Sequence, residues 1–312
     1  MIVAITGGTG FIGKKLVARL VERGDTVRLL TRNPAASEKA SLVEIHECDL
    51  VTVDTNQLSS MLDGVDVLYH CAGQFTNAQA MQALHVDATC KLVAAAAGRV
   101  AHWVQLSSVG VYGTMQDGVI TEETALNPAG EYEITKAEAD RVVIAGAIQG
   151  SYSYAVLRPS NVFGARMTNR SLFGMIAMID RNWFFYIGRP GASANYVHVD
   201  NVVEGLIRCA TMPAARGRIF NLSDHRTLEQ FVGAITEALG RSAPQLRIPQ
   251  PLAHLIGATL GKLPGFPLTR SRVDALTNRS SYSISRIRQE LDYRHVITME
   301  DGLRELVQAY RQ

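Results

Sequence analysis

The stretch MIVAITGGTGFIG, residues 1–13, decides the fold, because a short apolar run ends there in a turn of small residues. Its three spaced glycines lie between a predicted β-strand and a predicted α-helix. In that context they permit a tight turn, the close approach of a pyrophosphate, and close packing of the helix on the strand. The free N–H groups and positive dipole end of the helix favour a negatively charged ligand. The stretch therefore predicts a dinucleotide site, with a purely structural turn as the alternative. The predicted contacts are Gly7, Gly10, Phe11, Ile12 and Gly13.

The composition is that of a soluble globular protein with a sizeable core: 312 residues, 47% hydrophobic and 19% charged. The formal net charge of +2 gives no strong field, so neither nucleic acid nor an anionic membrane is expected as a partner. The four cysteines and eight histidines show no CxxC or metal-ligand spacing, which predicts reduced thiols, a cytoplasmic location and no metal site. The apolar run at 1–5 is too short for a signal peptide or a transmembrane helix. Segment 251–263 predicts a packed surface helix, with a membrane-resting patch as the alternative.

Apolar, β-branched runs alternate with helical patterns through the first half of the chain, which is typical of a Rossmann-type, doubly wound parallel sheet. The predicted strands cover 2–5, 27–30, 65–69, 103–106, 154–157, 196–199 and 219–222, and the predicted helices cover 11–22, 78–97 and 132–149. After residue 160 the regularity weakens and prolines break up the tail. We expect an α/β fold in two parts. An NAD(P)-binding domain covers 1–165, with contributions from about 195–225, and a smaller, mainly substrate-binding lobe covers 166–312.

The end of the second predicted strand indicates which dinucleotide is bound. NAD-selective sites place an Asp or Glu there to hold the ribose 2′-hydroxyl, whereas this chain has Leu-Leu-Thr-Arg at 29–32. Arg32 can pair with a 2′-phosphate, so NADP(H) is favoured over NAD(H), and a solvated loop arginine is the alternative. Asp49, followed by Leu50, falls where the third strand ends and is predicted either to accept from the adenine amino group or to cap a helix.

A second group of reactive residues stands in EYEITKAEAD, where Tyr132 and Lys136 are four residues apart on one face of a predicted helix. A free tyrosine titrates near about 10. A neighbouring ammonium and a positively charged nicotinamide favour the phenolate, which brings the phenol into the working range of a proton shuttle. Upstream, Ser107 and Ser108 end a strand and are predicted to hydrogen-bond a substrate hydroxyl or carbonyl.

With these residues in place, the chain resembles the extended short-chain dehydrogenase/reductase family, which includes NAD(P)-dependent nucleotide-sugar epimerases, dehydratases and 4-keto reductases. The resemblance spans nearly the whole chain and is specific for fold and hydride chemistry more than for substrate. It is carried by TGGTGFIG at 6–13, CDL at 48–50, HCAG at 70–73, LSSVGVYG at 106–113, YEITK at 132–136, LRPSNVFG at 157–164 and YVHVDNVVEGL at 196–206.

The resemblance implies a role for each matching residue. Ser108 matches the catalytic Ser/Thr, Tyr132 the acid/base, and Lys136 the residue that activates the tyrosine and holds the nicotinamide ribose. Asn161 matches a residue that contacts the nucleotide-sugar substrate. The residues implied to lie along the cofactor are Cys71, Ala72, Pro159 and Ser160.

Three departures from the family pattern qualify this reading. Val109 and Gly110 replace the Asp-Glu pair with which family dehydratases eliminate water, which speaks against dehydration. His85 stands where the family usually has Asn, which puts local cofactor-side contacts in doubt. The diphosphate-binding arginine of the epimerases is missing, and its task falls to Arg270 or Arg272, with solvated helix arginines as the alternative.

The expected function is hydride transfer at C4 of a nucleotide-linked sugar, by either a 4-keto reductase or a 4-epimerase. The alternatives are a dehydrogenase of hydroxysteroids or other apolar alcohols, which needs a more apolar pocket, and an NADP-binding sensor without turnover. The aromatic run 183–186 is predicted to be a core strand, with stacking on a nucleotide base as the alternative. Because the family pairs two helices from each subunit, helices 78–97 and 132–149 are expected to form a homodimer.

Overall fold

The structure is a computed structural model that describes residues 1–36, 40–75, 77–150, 152–167, 169–259 and 270–312. The described strands are β1 (Ile2–Thr6), β2 (Thr26–Thr31), β3 (Val43–Glu47), β4 (Val65–His70), β5 (Val100–Leu106), β6 (Asp117–Ile120), β7 (Ser153–Pro159), β8 (Asn161–Phe163), β9 (Tyr186–Ile187), β10 (Ser193–His198), β11 (Arg218–Leu222), β12 (Asp224–Thr227), β13 (Arg247–Ile248) and β14 (Arg279–Tyr282). The described α-helices are α1 (Phe11–Glu22), α2 (Thr55–Leu62), α3 (Ala78–Met81), α4 (Ala88–Ala96), α5 (Glu131–Ile148), α6 (Ser171–Asp180), α7 (Val199–Thr211), α8 (Leu228–Leu239), α9 (Gln250–Thr259), α10 (Arg270–Thr277), α11 (Ser285–Glu290) and α12 (Met299–Arg311). A π-helical turn, Gln82–Asp87, joins α3 to α4.

Seven parallel strands form the central sheet in the order β11-β7-β5-β4-β1-β2-β3. The chain builds outward from β1 through β2 to β3 and then returns to the other side of β1 with β4. The strand order therefore reverses between β1 and β4, and ligands of such sheets bind at the carboxyl ends of the strands at this point. The predicted fold class is confirmed.

Helices cover both faces of the sheet because alternate residues of each strand point to opposite sides. On β1, Val3 and Ile5 pack with Leu16 and Leu20 of α1. Ala4, between them, belongs to a separate apolar cluster with α2 and α4 on the opposite face. A strand buried on both faces reads as a continuous apolar run, which is why 2–5 identified it from sequence.

The second half of the chain adds a lobe with its own apolar cluster, to which α6, α8 and α12 contribute Ile176, Phe231 and Leu303. Three small sheets frame it, in the orders β12-β10-β8, β13-β9 and β14-β6. The surface helix predicted within 251–263 is present as α9 up to Thr259, and residues 260–269 lie outside the described part of the chain. Within the described residues, no helix combines the length and apolarity needed to cross a bilayer.

A buried ion pair ties α5 to β7 behind the ends of the strands. Two nitrogens of Arg158 donate to one carboxylate oxygen of Asp140, at 3.2 and 3.1 Å, and Ser107 Oγ donates to the same oxygen at 2.7 Å. Arg158 also donates to the hydroxyl of Tyr112 at 3.0 Å. Both charged side chains are almost fully buried, with 3% and 1% exposure. Such a pair adds little net stability, but losing one partner strands the other charge away from water.

Substituting Asp140 by Asn should lower the free energy of unfolding by about 3–5 kcal/mol, because the Arg158 guanidinium is then buried without a counter-charge. Urea unfolding followed by circular dichroism measures the change. The control is Glu138→Gln, which breaks an exposed pair with Arg141 on the same helix and should cost about 0.5 kcal/mol. Equal losses in the two variants would contradict the structural role given to the buried pair.

Candidate active site

The glycine turn lies against the loop that follows β4. Gly7 has a φ of +69°, a backbone conformation that favours glycine, and a Cβ on it would lie 2.6 Å from Ala72 N and from Cys71 C. A Cβ on Gly13 would lie 2.2 Å from Gly7 O, so the first turn of α1 packs directly on the glycine turn. Neither position has room for a side chain.

The start of α1 is open to a ligand. Gly10 is the N-cap residue, no side chain caps the helix, and a Cβ on Gly10 would approach only Gly7 O, at 3.2 Å. Backbone N–H groups of the first helical turn and the positive end of the helix dipole are thus presented together. This arrangement fits the pyrophosphate of a dinucleotide at the turn, as the glycine spacing predicts.

A cavity of about 1040 Å³ lies beside the carboxyl ends of β5 and β7 and reaches into the second lobe. Ser108 and Tyr132 line it, together with Ser160 and Asn161. Its apolar and aromatic lining residues are Val109, Met175, Met178, Phe184, Phe185, Ala194, Tyr196, Leu228, Ala275, Leu276 and Tyr282. Two arginines, Arg170 and Arg272, also line it, so the cavity combines an apolar wall with cationic groups.

Ser108 and Tyr132 meet at the wall of this cavity. Ser108 Oγ accepts a hydrogen bond from Gly110 N at 3.1 Å, which turns the side chain toward α5. A hydrogen bond with Ser108 lowers the pKa of Tyr132, but burial and the neighbouring Glu133 carboxylate outweigh it and raise that pKa above its ordinary value. The expected pair of hydroxyls is therefore present at one point of the cavity.

Lys136 is buried at the carboxyl end of β5. Its Nζ donates to Leu106 O at 2.6 Å, and the residue is only 4% exposed. Burial lowers the pKa of Lys136, opposed by Asp140 and Cys71. In this conformation the strand end holds the ammonium, and the effect of Lys136 on the pKa of Tyr132 stays a prediction.

Lys136 nevertheless connects the helix to the dinucleotide turn. Burial raises the pKa of Cys71 to about 12, although the Lys136 ammonium acts to lower it. The backbone of Cys71 is the same group that contacts Gly7. Lys136 and the glycine turn are therefore both neighbours of Cys71, in the loop after β4.

Ser107 and Ser108 lie in different environments. Ser108 faces the cavity, but Ser107 is 3% exposed and donates to Asp140 inside the fold. The prediction that Ser107 also contacts substrate is wrong, because its buried hydroxyl is held by the Asp140 carboxylate.

The residues predicted to choose the dinucleotide lie at the ends of β2 and β3. Thr31 is buried and its Oγ1 accepts from Asn33 N at 3.1 Å, while Arg32 is exposed and makes no hydrogen bond or ion pair to the described residues. Asp49 Oδ1 accepts from Val51 N at 3.0 Å, so one oxygen of this carboxylate stabilises a turn. Leu50 is buried beside it. The helix α2 is capped by Asp54 instead.

The end of β7 supplies further candidate contacts. Ser160, directly after Pro159, is 6% exposed, lines the cavity, and its Oγ has no hydrogen-bond partner among the described residues. A buried hydroxyl without a partner is costly unless a ligand satisfies it. Asn161 Nδ2 donates to Asn195 O at 3.2 Å at the cavity wall.

Arg272 lines the cavity from α10, whereas the side chain of Arg270 lies outside the described part of the chain.

Two residues of the site were not assigned from sequence. Glu133 lines the cavity beside Tyr132, and its side chain fills the space left by two glycines: a Cβ on Gly110 would lie 2.9 Å from Glu133 Cγ, and one on Gly130 would lie 2.2 Å from Oε2. The rings of His85 and Tyr132 lie nearly perpendicular, with their centroids 5.7 Å apart. These two glycines, both N-terminal to the tyrosine motif, were the available signal for Glu133.

The aromatic run 183–186 is divided between surface, cavity and core. Trp183 is exposed, Phe184 and Phe185 line the cavity, and Tyr186 begins the short strand β9. The predicted core strand is therefore correct only for its end.

Within the described ranges, no group of three or more His, Cys, Asp or Glu side chains is arranged to hold a metal ion.

Comparison with known proteins places these features in a family. The family model for the NAD dependent epimerase/dehydratase family matches residues 3–223. A 4-hydroxy-2-methyl-3-oxo-4-farnesyl-3,4-dihydroquinoline-1-oxide ketoreductase of Stigmatella aurantiaca is 27% identical over 98% of this chain and 95% of its own length. A 3 beta-hydroxysteroid dehydrogenase/Delta 5→4-isomerase of Mycobacterium tuberculosis is 27% identical over 99% of this chain and 90% of its own. The crystal structure of UDP-glucuronic acid 4-epimerase from Bacillus cereus in complex with NAD shares the fold, with a TM-score of 0.77 and 18% identity over 100% of this chain and 99% of that one.

Replacing Glu133 by Gln should lower the pKa of Tyr132, because a neutral amide no longer disfavours the phenolate. The phenol is titrated by ultraviolet difference absorbance, in each case against the matching protein that also carries Tyr132→Phe. Glu131→Gln, on the same helical turn, removes the same formal charge and should leave the pKa of Tyr132 unchanged. An unchanged Tyr132 titration in Glu133→Gln would contradict this reading of the site.

Proposed function

The chain belongs to the NAD dependent epimerase/dehydratase family, and from that premise we propose that it transfers hydride at C4 of a nucleotide-linked sugar. The proposed reaction is that of a 4-keto reductase or a 4-epimerase. The observation that carries the proposal is the meeting of Ser108 and Tyr132 in a large cavity, with Lys136 buried beside the loop that borders the dinucleotide turn.

Each of the three residues has a task in this proposal. When bound, the nicotinamide supplies hydride in reduction and accepts it in oxidation. In reduction Tyr132 donates its phenolic proton to the carbonyl oxygen, and in oxidation the phenolate takes the proton of the hydroxyl. Ser108 holds that same oxygen by a hydrogen bond. Lys136 holds the nicotinamide ribose and adds a positive charge that favours the phenolate, which offsets the burial and the Glu133 charge that raise the pKa of Tyr132.

The proposed dinucleotide contacts follow the opening turn and the strand ends. They are Gly7, Gly10, Phe11, Ile12, Gly13, Arg32, Asp49, Leu50, Cys71, Ala72, Tyr132, Lys136, Pro159 and Ser160. We propose NADPH as the preferred form, because Arg32 has no partner among the described residues and β2 ends without a carboxylate. A released and recycled NADPH suits net reduction, which favours the reductase over the epimerase.

The division of labour along the chain is also part of the proposal. Residues 1–165, with about 195–225, hold the dinucleotide, and 166–312 mainly hold the substrate.

A homodimer through helices 78–97 and 132–149 is supported by the outer face of α5, where Ile134 and Ile148 are 43% and 79% exposed.

The substrate class is argued from the cationic groups of the cavity. Arg170 and Arg272 line the same cavity as Ser108 and Tyr132, and guanidinium groups match the two phosphates of a nucleotide sugar. Phe184 and Phe185 offer aromatic faces to the base. Asn161, at the cavity wall, is the proposed polar contact to the sugar nucleotide.

A second candidate is a dehydrogenase of hydroxysteroids or other apolar alcohols. The observation that favours it is the wall formed by Met175, Met178 and Leu276, since flexible methionines and leucine suit a ring system without charges. The two relatives described above, a ketoreductase and a hydroxysteroid dehydrogenase, support this candidate. An NADP-binding sensor is disfavoured by the presence of all three of Ser108, Tyr132 and Lys136.

A screen of UDP-, GDP- and dTDP-sugars, 4-keto forms included, beside ketosteroids should show NADPH consumption with a nucleotide-linked 4-keto sugar. Tyr132→Phe should lower kcat by about 100-fold or more, because the proton donor is lost. Identical behaviour of wild type and Tyr132→Phe in every assay would support the sensor instead.

Two cavity variants separate the substrate classes. Arg272→Met should raise the KM for a nucleotide sugar by about 10-fold or more and leave an apolar ketone nearly unaffected. Met178→Asn should do the reverse. Turnover of a ketosteroid that is lost in Met178→Asn and kept in Arg272→Met would establish the second candidate over the first.

Replacing Arg32 by Asp should weaken NADPH binding by about 10- to 100-fold, because a charge-assisted contact to the 2′-phosphate becomes a repulsion. Binding is followed by the fluorescence of the reduced nicotinamide. Arg294→Asp, whose side chain is 88% exposed in the second lobe, controls for the change in net charge. Tighter binding of NADH than NADPH by the wild type would refute the proposed preference.

A further inference from the structure

His85 lies at an irregular point of its helix. It belongs to the π-helical turn Gln82–Asp87 that interrupts the helix predicted over 78–97, and it is only 1% exposed. Single π-helical turns inside α-helices recur at functional sites because they redirect one side chain. Here the redirected side chain is an imidazole, at the position where the family resemblance leads one to expect Asn.

The hydrogen bonds of the ring determine which nitrogen carries its proton. Gln74 N donates to His85 Nε2 at 2.9 Å, so Nε2 is an acceptor and carries no hydrogen. The neutral ring therefore has its proton on Nδ1, which donates to Thr135 Oγ1 at 2.8 Å. Thr135 Oγ1 in turn donates to Glu131 O at 2.8 Å. Every donor and acceptor in this chain of bonds is satisfied by one tautomer only.

The two ends of this chain lie on the two halves of the proposed site. Gln74 follows Cys71 and Ala72, the residues whose backbone contacts Gly7 at the dinucleotide turn. Thr135 is on α5, between Tyr132 and Lys136, and the imidazole packs nearly perpendicular to the Tyr132 ring. The imidazole is thus a single rigid bridge between the loop beside the glycine turn and the helix that carries the phenol and the ammonium.

We propose that His85, as the neutral Nδ1–H tautomer, is a positioning residue that sets the distance between the dinucleotide turn and Tyr132. The inference rests on the proposed function, because it needs Tyr132 to act on a substrate held beside the nicotinamide. His85 itself does not touch the reacting atoms. A displacement of about 1 Å between reacting groups is enough to cost about 100-fold in rate, so a bridge of this kind has a measurable effect.

The charges around His85 keep the ring neutral. The titratable side chains that face it are Lys136 on α5 and His70 on β4, and the Tyr132 ring packs nearly perpendicular to it. Burial and the Lys136 ammonium lower the pKa of His85 to about 4. Protonation at Nε2 would turn an N–H toward Gln74 N–H and break the bridge. Between the ordinary histidine pKa near about 6.5 and about 4, the unfolded chain binds this proton and the folded chain does not, so stability falls as the pH drops through that window.

The first experiment compares wild type with His85→Phe, Thr135→Val and the double variant. Steady-state kinetics and NADPH binding are measured at neutral pH. Each single variant should lower kcat/KM by about 10-fold or more, and the double variant should be no worse than the poorer single one, because both break one bridge. Gln82→Ala, at an exposed position of the same π-helical turn, should change nothing. Additive losses, or full activity in Thr135→Val, would overturn the proposal.

The second experiment tests the hydrogen bonds of His85 in the absence of substrate. Long-range ¹H–¹⁵N spectra of the histidine rings should show one buried ring protonated at Nδ1, with its signals absent from His85→Gln and shifted in Thr135→Val. Urea midpoints of the wild type should fall from pH 6.5 towards pH 4 more steeply than those of His85→Gln, while His70 contributes equally to both. A ring protonated at Nε2, or identical pH slopes, would overturn the proposal.

The two proposals fail separately. If Tyr132→Phe abolishes turnover while His85→Phe retains it, the bridge has no positioning role and the proposed function stands. If wild type binds neither NADPH nor NADH and turns over nothing, the proposed function fails, and with it the positioning role that rests on it, whatever tautomer the spectra show.

Discussion

The position of helix α5 on the sheet is set by polar groups that are sealed from water. Lys136 donates to the last carbonyl of β5, Leu106 O, and Asp140 accepts from Arg158 on β7. In an interior of low polarity each of these groups needs its partner, because an unpaired charge there costs several kcal/mol. The helix therefore has one register on the strands. The cavity-facing place of Tyr132, one turn before Lys136, is a consequence of that register.

The glycine turn imposes the matching constraint on the other side of the site. Gly7 and Gly13 have no room for a side chain, so β1, α1 and the loop after β4 touch through their backbones. Such contacts do not adjust by changing a rotamer. The reversal of strand order between β1 and β4 opens the crevice at this point, and the start of α1 aims its N–H groups along it. Hydrogen bonds of the His85 imidazole join the loop after β4, which lies beside the glycine turn, to helix α5.

Sequence was sufficient where a pattern reports directly on backbone or burial. The apolar run before the glycines indicates a strand buried on both faces, and α1 covers the residues expected for it. Sequence was not sufficient where the outcome depends on which neighbour competes for a group. Ser107 and Ser108 are alike in the chain, but only the structure shows that Asp140 takes the first. The pKa of Tyr132 rises because the residue is buried and lies beside the Glu133 carboxylate, and the four-residue spacing encodes neither condition. Nor does the spacing show that Lys136 is held at Leu106 O.

The cavity offers binding groups for both substrate classes, since arginines and a methionine-rich wall line it together. The claim common to both is that the phenol faces the nicotinamide of a dinucleotide whose pyrophosphate lies at the start of α1. The most direct measurement is a crystal structure of the complex with NADPH. The account predicts phosphate oxygens within hydrogen-bond distance of backbone N–H groups in the first turn of α1 and the Tyr132 hydroxyl turned toward the nicotinamide ring. A dinucleotide bound away from the glycine turn, or a nicotinamide out of reach of Tyr132, would contradict it.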